Sequence, residues 1–195
     1  MNFIALDFET ANKHRSSICS IGLALVENGK VTGSDHILVR PTPDYYDPIN
    51  SMLHGITDRH TRTAKTFQQL WYGLWKYFHQ QTIVAHNASF DCSALRGTLD
   101  AYNLKYPDLD YYCTYRLSQK ALNLNGYKLD EVSRHFNIKL KHHHAESDAL
   151  ACAMIAIKLC ETHQVKSLEE LAKKYNFNTG KIISFTKSYR AFSKK

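Results

Sequence analysis

The chain lacks a run of apolar residues approaching the ~20 needed to span a bilayer, which excludes a helical membrane anchor within it. No C-x-x-C pair occurs among its five cysteines, Cys19, Cys92, Cys113, Cys152 and Cys160. An odd number without that spacing argues against a disulfide framework and against structural zinc. Four of the five sit in apolar runs and are expected as small core residues. There is no charged, apolar and small-residue leader at the N-terminus, so a reduced, cytoplasmic setting is expected. Internal repeats and low-complexity linkers are also missing, and the four prolines are concentrated, three of them lying between Arg40 and Pro48. Acidic residues are scarce towards the end: from Val165 onwards eight bases face two acids, which accounts for +6 of the formal net charge of +7. The body is therefore near neutral, and the basic end favours an anionic partner such as nucleic acid.

With 195 residues, 44% of them hydrophobic, one sizeable core is expected. Phe3-Ile4-Ala5-Leu6 reads as a buried strand running into Asp7-Phe8-Glu9-Thr10. Side chains two apart on a strand share a face, so Asp7 and Glu9 project together. Paired carboxylates repel unless a cation lies between them, and hard divalent cations prefer oxygen ligands. The bland alternative has one acid capping the next loop and the other solvated.

Ile18–Val26 and Val31–Val39 are β-compatible and flank Asn28-Gly29, a strong hairpin signal. A helical turn is expected at Ile49–Leu53 with Gly55 as its C-cap, followed by an aromatic-striped helix from Thr66 to Gln81. Thr82–Ala85 and Leu109–Cys113 read as strands, with a helix between them from Ser89, the expected cap, to Tyr102. Helices are expected over Thr114–Ala121, Tyr127–Phe136, Ala145–Glu161 and Ser167–Tyr175. Strands before and among helices, with a hairpin first, describe a mixed α/β sheet.

Asp91 opens the helix after the fourth strand, where it would also suit the helix dipole, and Asp148 opens the long late helix. With Asp7 and Glu9 they form four carboxylates at the ends of elements, able to hold two divalent ions for phosphoryl displacement. The run His142-His143-His144 places a base beside them.

Asp7-Phe8-Glu9-Thr10, His86-Asn87-Ala88-Ser89-Phe90-Asp91 and His143-His144-Ala145-Glu146-Ser147-Asp148 together resemble the three ordered motifs of the DEDD superfamily of 3′–5′ exonucleases, histidine subtype. The best-known member of that family is the proofreading epsilon subunit of bacterial DNA polymerase III. The resemblance covers roughly residues 2 to 162 and implies an RNase H-like fold, a largely parallel five-stranded sheet with an antiparallel strand. It implies an exonuclease domain at 1–163, with 164–195 as a basic helix and tail. It implies Asp7, Glu9, Asp91 and Asp148 as ligands of two Mg²⁺ or Mn²⁺ ions, and His143 as general base by its spacing from Asp148. His142 and His144 are expected to be solvated or backbone-facing. Thr10 and His54 are expected to meet the 3′ end, Ile56 to wedge against the last base, and Asn87 to order the site.

The expected activity is release of nucleoside 5′-monophosphates from DNA, single-stranded for preference, with a polymerase or repair assembly as partner. The same motifs fit an RNA exonuclease of the oligoribonuclease kind. A non-catalytic docking module is the reading of another class. The basic tail admits three readings: a nucleic-acid contact through Tyr175, Phe177, Phe185, Tyr189 and Phe192, a packed helix with an irregular end, or a docking segment.

Overall fold

The computed structural model describes all 195 residues. At its centre is β1 (Phe3–Thr10), with Phe3, Ile4, Ala5, Leu6 and Phe8 buried. β2 (Ile18–Glu27) pairs with it antiparallel and is buried along both faces over most of its length. β3 (Lys30–Leu38) returns through Asn28 and Gly29, whose φ values of 53° and 75° are those of a tight hairpin turn. β4 (Gln81–Ala85) lies parallel to β1 on its other side, and β5 (Leu109–Cys113) lies parallel to β4. The order is β3-β2-β1-β4-β5, the five strands expected.

The sheet has seven strands, however, because the basic tail is not irregular. α8 (Leu168–Lys174), capped by Ser167 as expected, is followed by β6 (Phe177–Asn178), β7 (Gly180–Ile183), β8 (Ser188–Arg190) and β9 (Ser193–Lys194). β7 joins β5 antiparallel and β8 joins β7, while β6 and β9 pair separately. A five-stranded sheet is thus corrected to seven, and parallel pairing is confined to β1-β4-β5. The tail adopts this register because Gly180 lies flat on the Tyr111 ring, where a Cβ would fall 2.4 Å from Cζ. Lys181 pairs with Asp110 at 2.6 Å, and Phe177 stacks on Phe192 with centroids 4.8 Å apart.

Between β3 and β4 run α1 (Pro48–His54), α2 (Asp58–Thr61) and α3 (Phe67–Leu74). Gly55 caps α1 with φ 75°. The aromatic helix expected to reach Gln81 stops at Leu74, passes through a 3₁₀ turn at Trp75–Tyr77 and gives way at Gln80, whose φ is 59°. Its buried face, Phe67, Trp71, Leu74 and Phe78, belongs to the core. α4 (Ala88–Ala101) follows β4, α5 (Thr114–Ala121) and α6 (Leu129–His135) follow β5, and α7 (Ala145–Thr162) packs across β1 and β2. All five cysteines are buried and free. No helix is long and apolar enough to cross a membrane.

One contact sets the height of α7 over the sheet. Gly22, the register partner of Asp7, faces the first turn of α7 so closely that a Cβ would fall 2.0 Å from the Ala145 carbonyl oxygen. Backbone meeting backbone cannot yield as a flexible side chain can. Gly22→Ala is therefore expected to cost about 1–3 kcal/mol by overpacking, read as a lower Tm in thermal melts. An unchanged Tm would contradict this packing.

Candidate active site

Asp7 and Glu9 project from one face of β1 into a cleft of about 460 Å³. Asp91 reaches the same cleft from the first turn of α4, and Asp148 from the first turn of α7. Asn87 makes the turn into α4 with φ 72° and no side-chain cap. Ser89 does not cap that helix as expected: it lies inside the helix and its hydroxyl donates to Asn87 Oδ1 at 3.1 Å. Asp91 is fixed across the chain, because the Phe8 backbone N–H donates to its Oδ1 at 3.0 Å. Asp148 Oδ2 accepts from the His143 N–H at 3.0 Å and faces His142 Nδ1 at 3.3 Å.

Carboxylate oxygens of Asp7, Glu9 and Asp148 lie within 4.8 Å of one another. Burial raises the proton affinity of Asp7 well above the carboxylate range, and Asp91, Glu9 and Asp148 raise it further. Glu9 is pushed up to about 8 by burial, then by Asp148 and Asp91. Asp91 is pushed up to about 7 by burial, against the pull of the Phe8 N–H. Asp148 is raised by burial and held back by His142 and the His143 N–H. The one basic chain on the cleft wall besides histidine is exposed Lys128.

Asp148 Oδ1 is buried with no hydrogen-bond partner. An unpartnered buried carboxylate oxygen is costly. Beside three further carboxylates it makes an all-oxygen donor set that fits hard divalent cations. Asp7, Glu9 and Asp148 are close enough to share one ion, His142, His143 and Asp148 form a second such group, and Asp91 lines the same cleft without belonging to either.

Of the three histidines, His143 lines the cleft, with a left-handed φ of 62°. Burial and then neighbouring His142 lower its proton affinity, so it is neutral near pH 7. His142 is exposed, as expected, and also borders the cleft, its ring stacked on His143 at 3.9 Å and close to Asp148. The left-handed turn at His143 folds the two rings together. His144 points elsewhere, 4.7 Å from His36.

Thr10 is buried, and its carbonyl accepts from Asn50 Nδ2 at 2.8 Å and faces His54 Nε2 at 3.2 Å. The Ile56 N–H donates to His54 Nδ1 at 3.0 Å, which leaves the His54 proton on Nε2 to be donated to Thr10. Thr10, His54 and Ile56 therefore form a brace behind β1, and none of the three lines the cleft. Exposed apolar side chains on α1 are Ile49, Met52 and Leu53. The sequence motifs include His86 without giving it a role, and they do not include Asn50. His86 ties the turn after β4 to Thr114 Oγ1 and the Tyr127 carbonyl, both at 2.9 Å, and burial holds its proton affinity down to about 4.

The crowded acids set a pH dependence. Their folded-state affinities, about 8 for Glu9 and about 7 for Asp91, lie above those of an unfolded chain, so the folded state holds the extra protons. Stability of the metal-free protein is expected to fall as pH rises through this window. Mn²⁺ is expected to raise the Tm, and by more at pH ~8 than at pH ~6. Melts with and without Mn²⁺ check this, and a rise that is larger at the lower pH would contradict it.

A model of the Exonuclease family matches residues 4–156. The chain is 31% identical over 181 residues to DNA polymerase III PolC-type of Caldanaerobacter subterraneus subsp. tengcongensis, a match covering 87% of this chain and 12% of that protein. It is 25% identical over 178 residues to the 3′-5′ exonuclease DinG of Staphylococcus haemolyticus, covering 89% of this chain and 20% of that one. The chain thus spans an eighth to a fifth of the length of these relatives. Among solved structures its fold is similar to Exonuclease X in complex with 5′ overhanging duplex DNA, with a TM-score of 0.72 and 22% identity, covering 88% of this chain and 98% of that one. Three motifs in order, four carboxylates in one cleft and a family match over most of the sheet agree: the chain belongs to the Exonuclease family.

Proposed function

We propose that the chain is a metal-dependent 3′–5′ exonuclease that releases nucleoside 5′-monophosphates from DNA 3′ ends. The observation that carries this reading is the cleft with four crowded carboxylates, an unpartnered Asp148 oxygen and His143 at its wall. Asp7, Glu9, Asp91 and Asp148 hold the cations. When bound, two divalent cations supply charge neutralisation and Lewis-acid assistance to the attacking and leaving oxygens. The ring of His143 accepts the proton of the attacking water. The water oxygen bonds to phosphorus, the bond from phosphorus to the 3′ oxygen breaks, and that oxygen takes up a proton to become the new 3′-hydroxyl.

Asp148 orients His143 through the backbone N–H of that residue. The brace of Asn50 and His54 holds the Thr10 carbonyl at the end of β1, one residue beyond Glu9. Asn87 borders the cleft and orders the site, and Lys128 draws phosphate to it. Residues 1–163 are the exonuclease body in this reading, with 164–195 as its extension. Polymerase or repair machinery is the expected partner, supported by the likeness to a PolC-type polymerase.

The test is a panel of 5′-labelled single- and double-stranded DNA and RNA with Mg²⁺, with Mn²⁺ and without either. Ladders shortening from the 3′ end of DNA, only with metal, are expected. Asp7→Asn and Asp148→Asn are expected to bring cleavage to background in folded protein. His143→Ala is expected to lose about 10²–10⁴-fold, whereas His144→Ala keeps most of the rate. Undiminished cleavage in both aspartate variants would overturn the reading, and a larger loss at His144 would overturn the choice of base.

A further inference from the structure

The cleft continues past the carboxylates. Asn87 and Tyr115 line it and also line a second, narrower groove of about 160 Å³. Tyr111 of β5 contributes to the groove, exposed Arg116 of α5 forms one side, and Ala191 and Phe192 of the tail form the far wall. Arg116 Nη1 reaches the Phe192 carbonyl at 3.4 Å and ties the two sides. Charge changes sign between the two spaces: four carboxylates line the first, and the only charged residue lining the second is Arg116.

Two residues before Ala191 stands Tyr189 of β8. Its register partner is Ile182, which in turn partners Leu109, so Tyr189 shares a sheet face with Leu109 and Tyr111. The Arg96 guanidinium of α4 lies 3.5 Å from the Tyr189 ring centroid, and Tyr189 remains 53% exposed. Tyr111 lines the groove, and Tyr189 lies on the same sheet face two strands away, its ring held in place by a cation.

We propose that this groove and the Tyr189–Arg96 platform hold the single-stranded segment immediately 5′ of the scissile nucleotide, a reading that rests on the proposed nuclease function. A strand whose 3′ end fills the cleft can extend only 5′-ward. Arg116, the only charged residue lining the groove, attracts its phosphates, while its bases find a π face at Tyr189. The C-terminal tail supplies both that ring, from β8, and the far wall, from Ala191 and Phe192 in the link between β8 and β9.

The test is fluorescence anisotropy of the full chain with 5′-labelled oligothymidylates and oligouridylates of two to about ten nucleotides, calcium being the cation. Wild-type affinity is expected to rise with length. Arg116→Gln is expected to weaken the longest strand severalfold and to lower the slope of log affinity against log salt by about one. Arg116→Lys is expected to restore that slope. Tyr189→Ser is expected to weaken the longest strand about tenfold with the slope unchanged. If its Tm shows that the hairpin has melted, Tyr189→Leu removes the π face while keeping the bulk. Variants that bind every length as wild type does, with the full salt slope, would overturn the proposal. If the chain cleaves no strand yet the variants lose length-dependent binding, the nuclease reading fails and the groove stands. If cleavage proceeds and the variants bind like wild type, the groove alone fails. A wild type that binds no strand overturns both.

Discussion

Asp7, Glu9, Asp91 and Asp148 come from three separate elements and share one cleft, so burial raises the proton affinity of all four and the neighbouring acids raise it further at Asp7 and Glu9. A fold tolerates such crowding only where its scaffold leaves the groups nowhere else to go. Here β1 is buried on both faces and sits between β2 and β4, which fixes Asp7 and Glu9. The Phe8 N–H pins Asp91 to the same strand. Gly22 lets α7 descend until Asp148 meets them. The architecture concentrates negative charge and leaves one carboxylate oxygen unpartnered, which gives a cation a reason to enter.

Local rules were enough for the acids. Strand period placed Asp7 beside Glu9, and the starts of two helices placed Asp91 and Asp148 at element ends. The hairpin at Asn28-Gly29 and the cap at Gly55 followed from residues that tolerate positive φ. Contacts between distant segments were not legible. Nothing near Phe8 in the chain announces that its N–H belongs to Asp91, 83 positions away. Nothing near Gly180 announces that its missing side chain accommodates Tyr111. The lysines and aromatics of the tail left three readings open, a nucleic-acid contact, a packed helix with an irregular end or a docking segment, yet the tail extends the sheet past β5, which would otherwise be an edge.

The histidine run shows where spacing stops being informative. Position relative to Asp148 distinguished His143 from His144, and the structure puts His143 in the cleft and His144 against His36. What spacing did not give was the left-handed backbone at His143, which stacks His142 on it and brings both to Asp148. The brace at Thr10 is similar: His54 was visible as a site residue, but its work is to orient backbone, together with Asn50. Site geometry here is held largely by main-chain groups, which a pattern of side chains does not reveal.

The central claim is that this cleft is a cation site made of carboxyls that hold protons until the cation arrives. Calorimetric titration of Mn²⁺ into the metal-free protein near pH 7, repeated in buffers of different ionisation enthalpy, measures both halves of it. The account predicts saturable uptake of about two ions with release of protons, since bound cations displace them from the raised carboxyls. Asp148→Asn is predicted to abolish that uptake or weaken it strongly. No saturable uptake, or uptake that releases no protons and survives Asp148→Asn, would contradict the account.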